Sequence, residues 1–278
     1  MYLTYYNGTW SEGNTPLVGA MDHSFWLGSS VFDGARALHG HLPDLRPHLQ
    51  RVIDSADKLG MRCPLSVDEM EVLVREGVAR FPADAELYIR PLVFATEGFL
   101  IPVPDKAAFV LTLFDAPLPP FSGFSACLST LRRPDNSMAP TDAKASALYA
   151  NTSRALREAK ARGFDNAILL DAGGAVTEFA SSNLFLVTGD GAVVTPALNG
   201  TFLAGITRAR VMALLAGEGI VVEERTVRVD ELATAREIFS TGNYGKVTPC
   251  TRFEGHEMAA GPVAAKARAL YLAFTETT

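Results

Sequence analysis

Residues 115–125 read DAPLPPFSGFS, and no regular element survives such a run. Proline fixes φ and lacks an amide donor, so three prolines and a glycine interrupt both helix and sheet. The 278-residue chain is therefore expected to divide here. The boundaries read as a small N-terminal α/β domain over 1–116, a linker over 117–124 and a larger C-terminal domain over 125–278. A chain of this length can bury a real core as one domain or as two.

Hydrophobic periodicity fills in both halves. Residues 30–38 (SVFDGARAL), 85–94 (AELYIRPLVF) and 107–114 (AAFVLTLF) are rich in aromatic and branched side chains and read as strands. Residues 47–59 carry Leu49, Val52, Ile53, Ala56 and Leu59 at helical spacing, and 67–81 repeat the pattern through Met70, Val72, Leu73 and Val78. Beyond the linker the pattern predicts a strand over 125–131, a helix over 145–162, a strand over 166–171 and a hairpin over 184–194. A helix over 207–217, a strand over 220–226, a short helix over 229–235, a strand near 237–240 and a final helix over 262–274 follow.

Composition narrows the function classes. A net charge of −6 gives no support for nucleic-acid or anionic-membrane binding. No apolar run approaches eighteen residues, and MYLTYYNGTW has no basic segment leading into an apolar one, so the chain is expected in the cytoplasm. Cys63, Cys127 and Cys250 are scattered and odd in number, which implies neither a disulfide framework nor a metal knuckle. His39 and His41 sit in a turn without zinc-site spacing, and no metal is expected.

The richest stretch runs from 143 to 187. Lys144 stands among Ala143, Ala145, Ser146 and Ala147 at the mouth of a predicted helix. Small neighbours leave room for a bulky group on the amine, and partial desolvation favours a nucleophilic lysine. Lys246, in the glycine-rich STGNYGKVTP, competes with it. Glu178 is read as entering a small-residue loop, TEFASSN, either in water or buried against a cation. A lysine and a carboxylate delivered by separate elements suit an imine-forming cofactor with a basic ring nitrogen, as in pyridoxal phosphate.

Two segments suit phosphate. LAGITR, residues 203–208, opens a helix whose N–H groups and dipole can hold a dianion. STGNYG, residues 240–245, is a glycine turn able to form an anion nest. Arg51 is a third candidate, or a surface arginine. Arg90, inside the apolar strand YIRPLVF, needs either an ion pair or a substrate carboxylate.

In this order VFDGARAL, HLQRVIDSA, YIRPLVF, DAKASALY, TEFASSNLF, LAGITR and STGNYGKVTP resemble the class IV (fold-type IV) pyridoxal-phosphate enzymes, across nearly the whole chain. That family includes branched-chain and D-amino-acid aminotransferases, aminodeoxychorismate lyases and (R)-selective amine transaminases. The resemblance implies an α+β, D-amino-acid aminotransferase-like fold whose larger C-terminal domain forms a pseudo-barrel. It also implies a homodimer whose partner loop closes the site.

It assigns roles as well. Lys144 would hold pyridoxal 5'-phosphate covalently and then shuttle the substrate proton, and Glu178 would pair with the pyridine nitrogen. Tyr149 would bond the ring hydroxyl, while Leu203 would pack on the ring. Arg51, the N–H groups of Ile206 and Thr207, and Asn243 would bind phosphate. YIRP is most similar to branched-chain aminotransferases, which points to Phe32, Tyr88, Arg90, Tyr244 and Gly245 as substrate residues. The expected reaction moves an amino group from a branched-chain or related apolar L-amino acid to 2-oxoglutarate by ping-pong half-reactions. A D-amino-acid aminotransferase or (R)-amine transaminase using pyruvate, the lyase, and a non-catalytic relative are the alternatives. Departures from the branched-chain pattern are Asp33 in place of the commoner glutamate, Leu27 for tyrosine, Asn243 for threonine and Tyr244 for alanine.

Overall fold

The computed structural model describes residues 1–278, which divide into two compact units. The first comprises Met1–Leu118, Ala143–Leu148 and Thr275–Thr278. Its elements are β1 (Tyr2–Tyr6), β2 (Thr9–Glu12), α1 (His23–Leu27), β3 (Ser30–Phe32), β4 (Ala35–Leu38), α2 (Leu45–Lys58), α3 (Val67–Val78), β5 (Glu86–Ala95) and β6 (Ala107–Asp115). The strands form one antiparallel sheet in the order β2-β1-β6-β5, with β3 and β4 following each other along the far side of β5. Residues 30–38 are expected as one strand, yet the strand breaks at Asp33 and Gly34. There the Asp33 N–H donates to the Pro91 carbonyl at 2.9 Å.

Alternation along β5 shows how the sheet is sided. Leu87, Ile89 and Val93 enter a core shared with Leu49 and Val52 of α2 and with Met70 and Val74 of α3. Tyr88 and Arg90 take the opposite face. A Ser66–Glu69 capping box starts α3, satisfying amides the helix cannot bond itself.

The second unit holds Pro119–Asp142 and Tyr149–Phe274. It is built from β7 (Phe124–Arg132), α4 (Tyr149–Ala161), β8 (Asn166–Leu170), β9 (Val176–Phe179), β10 (Asn183–Val187), β11 (Val193–Pro196), α5 (Ile206–Gly217), β12 (Val222–Arg225), α6 (Val229–Thr234), β13 (Glu237–Gly242), β14 (Lys246–Phe253), β15 (His256–Glu257) and α7 (Pro262–Thr275). The mixed sheet runs β12-β11-β10-β13-β14-β7-β8-β9, with β15 on β14. It curls until its ends meet: the Val176 N–H of β9 donates to the carbonyl of Val227, just past β12, at 2.9 Å. Phe179, Leu184, Ile238 and Cys250 fill the inside of that curl, which is the expected pseudo-barrel. Outside, α4 lays Ala155 and Ala159 on Cys127 and Ala167, while α5 and α7 cover Phe185, Phe239 and Val247. Buried Glu237 closes the start of α7, accepting from the Val263 and Ala264 amides at 3.1 and 2.9 Å. No helix is long and apolar enough to cross a membrane.

Two further placements differ from the sequence expectations. Residues 143–148, expected inside the C-terminal domain, group with the first unit because Ala145 bridges to Val31 and the Phe32 N–H donates to the Lys144 carbonyl at 3.2 Å. Glu178, expected at the entry of a loop, lies in β9. Its small neighbours Ala180 and Ser181 make the turn after the strand instead.

Candidate active site

Within the first unit Lys144 lies two residues ahead of a 3-10 turn, Ser146–Leu148, which leads directly into α4, so it stands at the mouth of a helix as expected. Its backbone is fixed on both sides, since its N–H donates to Ser55 Oγ at 3.1 Å and its carbonyl accepts from Phe32. The half-buried amine stands 4.9 Å from the centre of the Phe32 ring. An ammonium over an aromatic face is partly desolvated yet still attracted to the ring.

Next to Phe32, buried Asp33 holds the base of α2. Arg51 donates to it through Nε at 2.6 Å and Nη2 at 2.9 Å, and His48 Nδ1 lies 2.7 Å from Oδ1. Burial pushes the Asp33 carboxyl up, but the charges of Arg51 and His48 and their hydrogen bonds outweigh it. The carboxyl is held well below the usual range. Arg51 is thus a fixed cation, not a mobile surface arginine.

Strand register gathers three of the expected substrate residues, Phe32, Tyr88 and Arg90, on one face. Phe32 pairs with Leu92, and Tyr88 and Arg90 follow at alternate positions of β5. Tyr88 stacks on Phe114 at 5.3 Å, and the exposed Arg90 guanidinium lies 5.9 Å from the same ring. Arg90 therefore meets an aromatic ring where the sequence left an ion pair open. Leu27, on α1, is exposed.

In the second unit a bulge sets Glu178. Leu169 pairs with Glu178 but Leu170 with Val176, so Thr177 is an extra residue on β9. Val176 and Phe179 can then both face the core, leaving Glu178 on the other side. Glu178 is 7% exposed, with Arg133 Nη1 3.3 Å from Oε1 and Asn183 Nδ2 donating to Oε2 at 3.1 Å. The same Asn183 amide donates to the Leu203 carbonyl at 3.2 Å, bringing Leu203 beside the acid. Gly205 caps the start of α5, and any Cβ there would collide with Asn183 Oδ1. Glycine lets the helix end approach the Asn183 amide closely.

Ile206 and Thr207 then form the first turn of α5, where amides have no intrahelical partners. Asn183 is paired with Thr241 across β10 and β13, so their side chains share a face. The Thr241 hydroxyl is buried and makes no hydrogen bond. Asn243 follows, its Oδ1 accepting from Lys246 Nζ at 2.8 Å. Lys246 itself is 1% exposed, which sets it apart from the half-buried Lys144 as a group able to meet a substrate. Tyr244 is exposed. Gly245 packs so tightly on Thr248 that no side chain fits. Tyr149 opens α4 three residues before Thr152, whose hydroxyl donates to the Ala180 carbonyl at 3.1 Å, so Tyr149 shares the helix face turned to the β9–β10 turn.

Each unit thus carries its own constellation: Lys144, Phe32, Arg51, Tyr88 and Arg90 in the first; Tyr149, Glu178, Leu203, Ile206, Thr207, Asn243, Tyr244 and Gly245 in the second. Four contributors were given no role in the sequence reading. Asp33 and His48 fix Arg51; Arg133 and Asn183 fix Glu178. Only the HLQR spacing, which puts His48 and Arg51 on one helix face, hinted at any of them.

The chemistry of these donors fits a phosphorylated pyridine aldehyde. There is an amine beside an aromatic ring, a buried carboxylate, and a helix start flanked by a buried hydroxyl lacking a partner. Comparison with known proteins points the same way. The family profile described as amino-transferase class IV matches residues 30–253. A probable branched-chain-amino-acid aminotransferase of Aquifex aeolicus is 31% identical over 257 residues, 88% of this chain and 82% of that protein. A Brucella abortus aminotransferase bound to the cofactor PLP superposes with a TM-score of 0.97 at 45% identity, covering 99% of each chain. The T.th. branched-chain amino acid aminotransferase complexed with N-(5'-phosphopyridoxyl)-L-glutamate gives 0.92 at 30% identity, covering 99% of this chain and 95% of that one.

Proposed function

Because the chain belongs to the class IV aminotransferases and is a pyridoxal-phosphate-dependent transaminase, we propose that it moves the amino group of a branched-chain or related apolar L-amino acid to 2-oxoglutarate. One observation carries the substrate reading. The Lys144 amine lies over Phe32 on a sheet face whose other members are the Tyr88–Phe114 stack and the cation Arg90. Aromatic surface suits an apolar side chain, and an exposed guanidinium suits a carboxylate. The names of the Aquifex and T.th. relatives support the same class, and the phosphopyridoxyl-glutamate of the latter supports glutamate and its oxo acid as the second pair.

When bound, pyridoxal phosphate supplies an imine-forming aldehyde and a ring that accepts electron density. The chain's residues do the rest. Lys144 would hold the cofactor, yield it to the incoming amine, and then take the proton from the substrate α-carbon as general base. It would return that proton two bonds away, to the carbon on the cofactor side of the substrate nitrogen. Glu178, oriented by Arg133 and Asn183, keeps the ring nitrogen protonated. Tyr149 bonds the ring hydroxyl, and Leu203 packs against the ring. Arg51, the Ile206 and Thr207 amides and Asn243 hold the phosphate. Phe32, Tyr88, Arg90, Tyr244 and Gly245 shape the substrate pockets. A second oxo acid runs the sequence backwards, giving ping-pong kinetics.

We also propose a homodimer. Phe25, Trp26, Phe99, Leu100 and Ile101 of the first unit are exposed together with Met21, more apolar surface than a monomer ordinarily leaves in water. Light scattering that returns a monomer mass would reject it.

A coupled assay offering L-leucine, D-alanine and (R)-1-phenylethylamine with 2-oxoglutarate or pyruvate tests the substrate reading. Turnover of L-leucine with 2-oxoglutarate is expected. Brisk turnover of either other donor without L-leucine would replace the proposal.

A further inference from the structure

The Asn243 side chain can bind an anion only through its carboxamide nitrogen, and the carboxamide could as well present its oxygen. The structure shows what decides between them. Lys246 is 1% exposed, lies in the left-handed region at φ 57°, and places Nζ 2.8 Å from Asn243 Oδ1 and 5.1 Å from the centre of the Tyr271 ring. An ammonium donates and never accepts, so the amide atom facing it must be oxygen. The nitrogen is then turned away from Lys246. Arg268 braces the same loop, donating to the Gly245 and Val247 carbonyls at 3.2 and 2.9 Å.

Donors lie near that loop. The buried Thr241 hydroxyl, without a hydrogen bond, is two residues before Asn243 on the face that carries Asn183. Asn183 packs beneath Gly205 at the start of α5, next to the Ile206 and Thr207 amides. We infer that Lys246 is a positioning residue for the phosphate of the cofactor: it fixes the Asn243 carboxamide with nitrogen toward the anion and adds a buried positive charge behind it. This rests on the assignment of that donor cluster to phosphate. A lysine buried only to fill space would be served as well by methionine; a phosphate gives its charge a use.

The test compares two ligands on the full-length protein after cofactor removal. Pyridoxal phosphate and pyridoxal share aldehyde and ring but differ in the phosphate, and imine absorbance reads both. Wild type should prefer pyridoxal phosphate; equal affinity would overturn the phosphate assignment itself. Lys246→Met should weaken pyridoxal phosphate roughly ten- to a hundredfold, the worth of a charge-assisted hydrogen bond, and leave pyridoxal unchanged. Asn243→Leu should show the same selective loss, the double variant less than the sum of the two single losses, and Lys246→Arg a smaller loss. Equal weakening of both ligands, no weakening, or additive losses would each overturn the role of Lys246. Should Lys246→Met not fold, Asn243→Asp decides, because it sets a carboxylate where the donor stands. Undiminished affinity for pyridoxal phosphate in that variant would overturn the inference.

Discussion

Asp33 and Arg51 are joined by two parallel hydrogen bonds, Nε to Oδ2 at 2.6 Å and Nη2 to Oδ1 at 2.9 Å, with the carboxylate wholly buried. The pair belongs to β3–β4 and α2, so it ties the broken strand to the helix that carries a proposed phosphate ligand. Removing the charge should leave Arg51 and His48 sharing one neutral carbonyl oxygen, with an NH2 donor facing them in place of the second acceptor. Asp33→Asn is expected to destabilise the protein by about 3–5 kcal/mol, the cost of breaking a buried pair from one side, as read by urea unfolding.

The same pair predicts a pH dependence. The native Asp33 carboxyl titrates well below its unfolded value of about 3.9, so its contribution is fully present above that value. It is lost as pH falls toward the native pKa. The stability gap between wild type and Asp33→Asn should stay constant from about pH 6 to 8 and shrink below about pH 4. A gap that grows on acidification would contradict the assignment.

Lys144→Ala should abolish borohydride-fixed cofactor and slow transamination by at least about 10²–10⁴-fold, the usual worth of a general base. Peptide mapping of the reduced wild type should find the label on Lys144. A label on Lys246 would reverse the assignment of the two lysines.

Glu178→Gln should retain cofactor yet lose roughly 10²–10³-fold in kcat, because a neutral amide no longer stabilises a protonated ring. Arg133→Met, which removes a neighbour 3.3 Å from the Glu178 carboxylate, should fall between it and wild type. Retained kcat in Glu178→Gln would exclude the acid from the chemistry.

Gly205→Ala should displace the Asn183 amide, which two hydrogen bonds otherwise hold against Glu178 and Leu203. Overpacking of this kind costs about 1–3 kcal/mol. Here it should also loosen cofactor, measured as faster loss on dialysis, whereas Gly217→Ala on the same helix, where nothing lies near the added carbon, should not.

What could be read from the sequence was local. The strands 85–94 and 107–114 and helices 47–59, 67–81, 207–217 and 262–274 announce themselves by period, and each lies within a few residues of its expected span. Family resemblance supplied the order of the motifs. What stayed hidden depends on contacts distant in sequence. The bulge at Thr177 exists only because β8 and β9 pair out of step, so Glu178 looked like the start of a loop. Strand β14, with its polar residues Thr248, Thr251 and Arg252, has no apolar run to betray it. The partners of Glu178 are 45 residues upstream and five downstream, and no spacing rule connects them.

Lys144 arrives in the first unit on six residues that are covalently flanked, on both sides, by the second. A gene cut at Leu118 would encode β3, Phe32, Asp33 and Arg51 but omit the amine and the backbone groups that dock on Val31, Phe32 and Ser55. The N-terminal fold is thus discontinuous in the gene. The piece that carries Lys144 is translated only after β7 has been made, so the nucleophile cannot be inherited, expressed or swapped with the half of the chain that seats it.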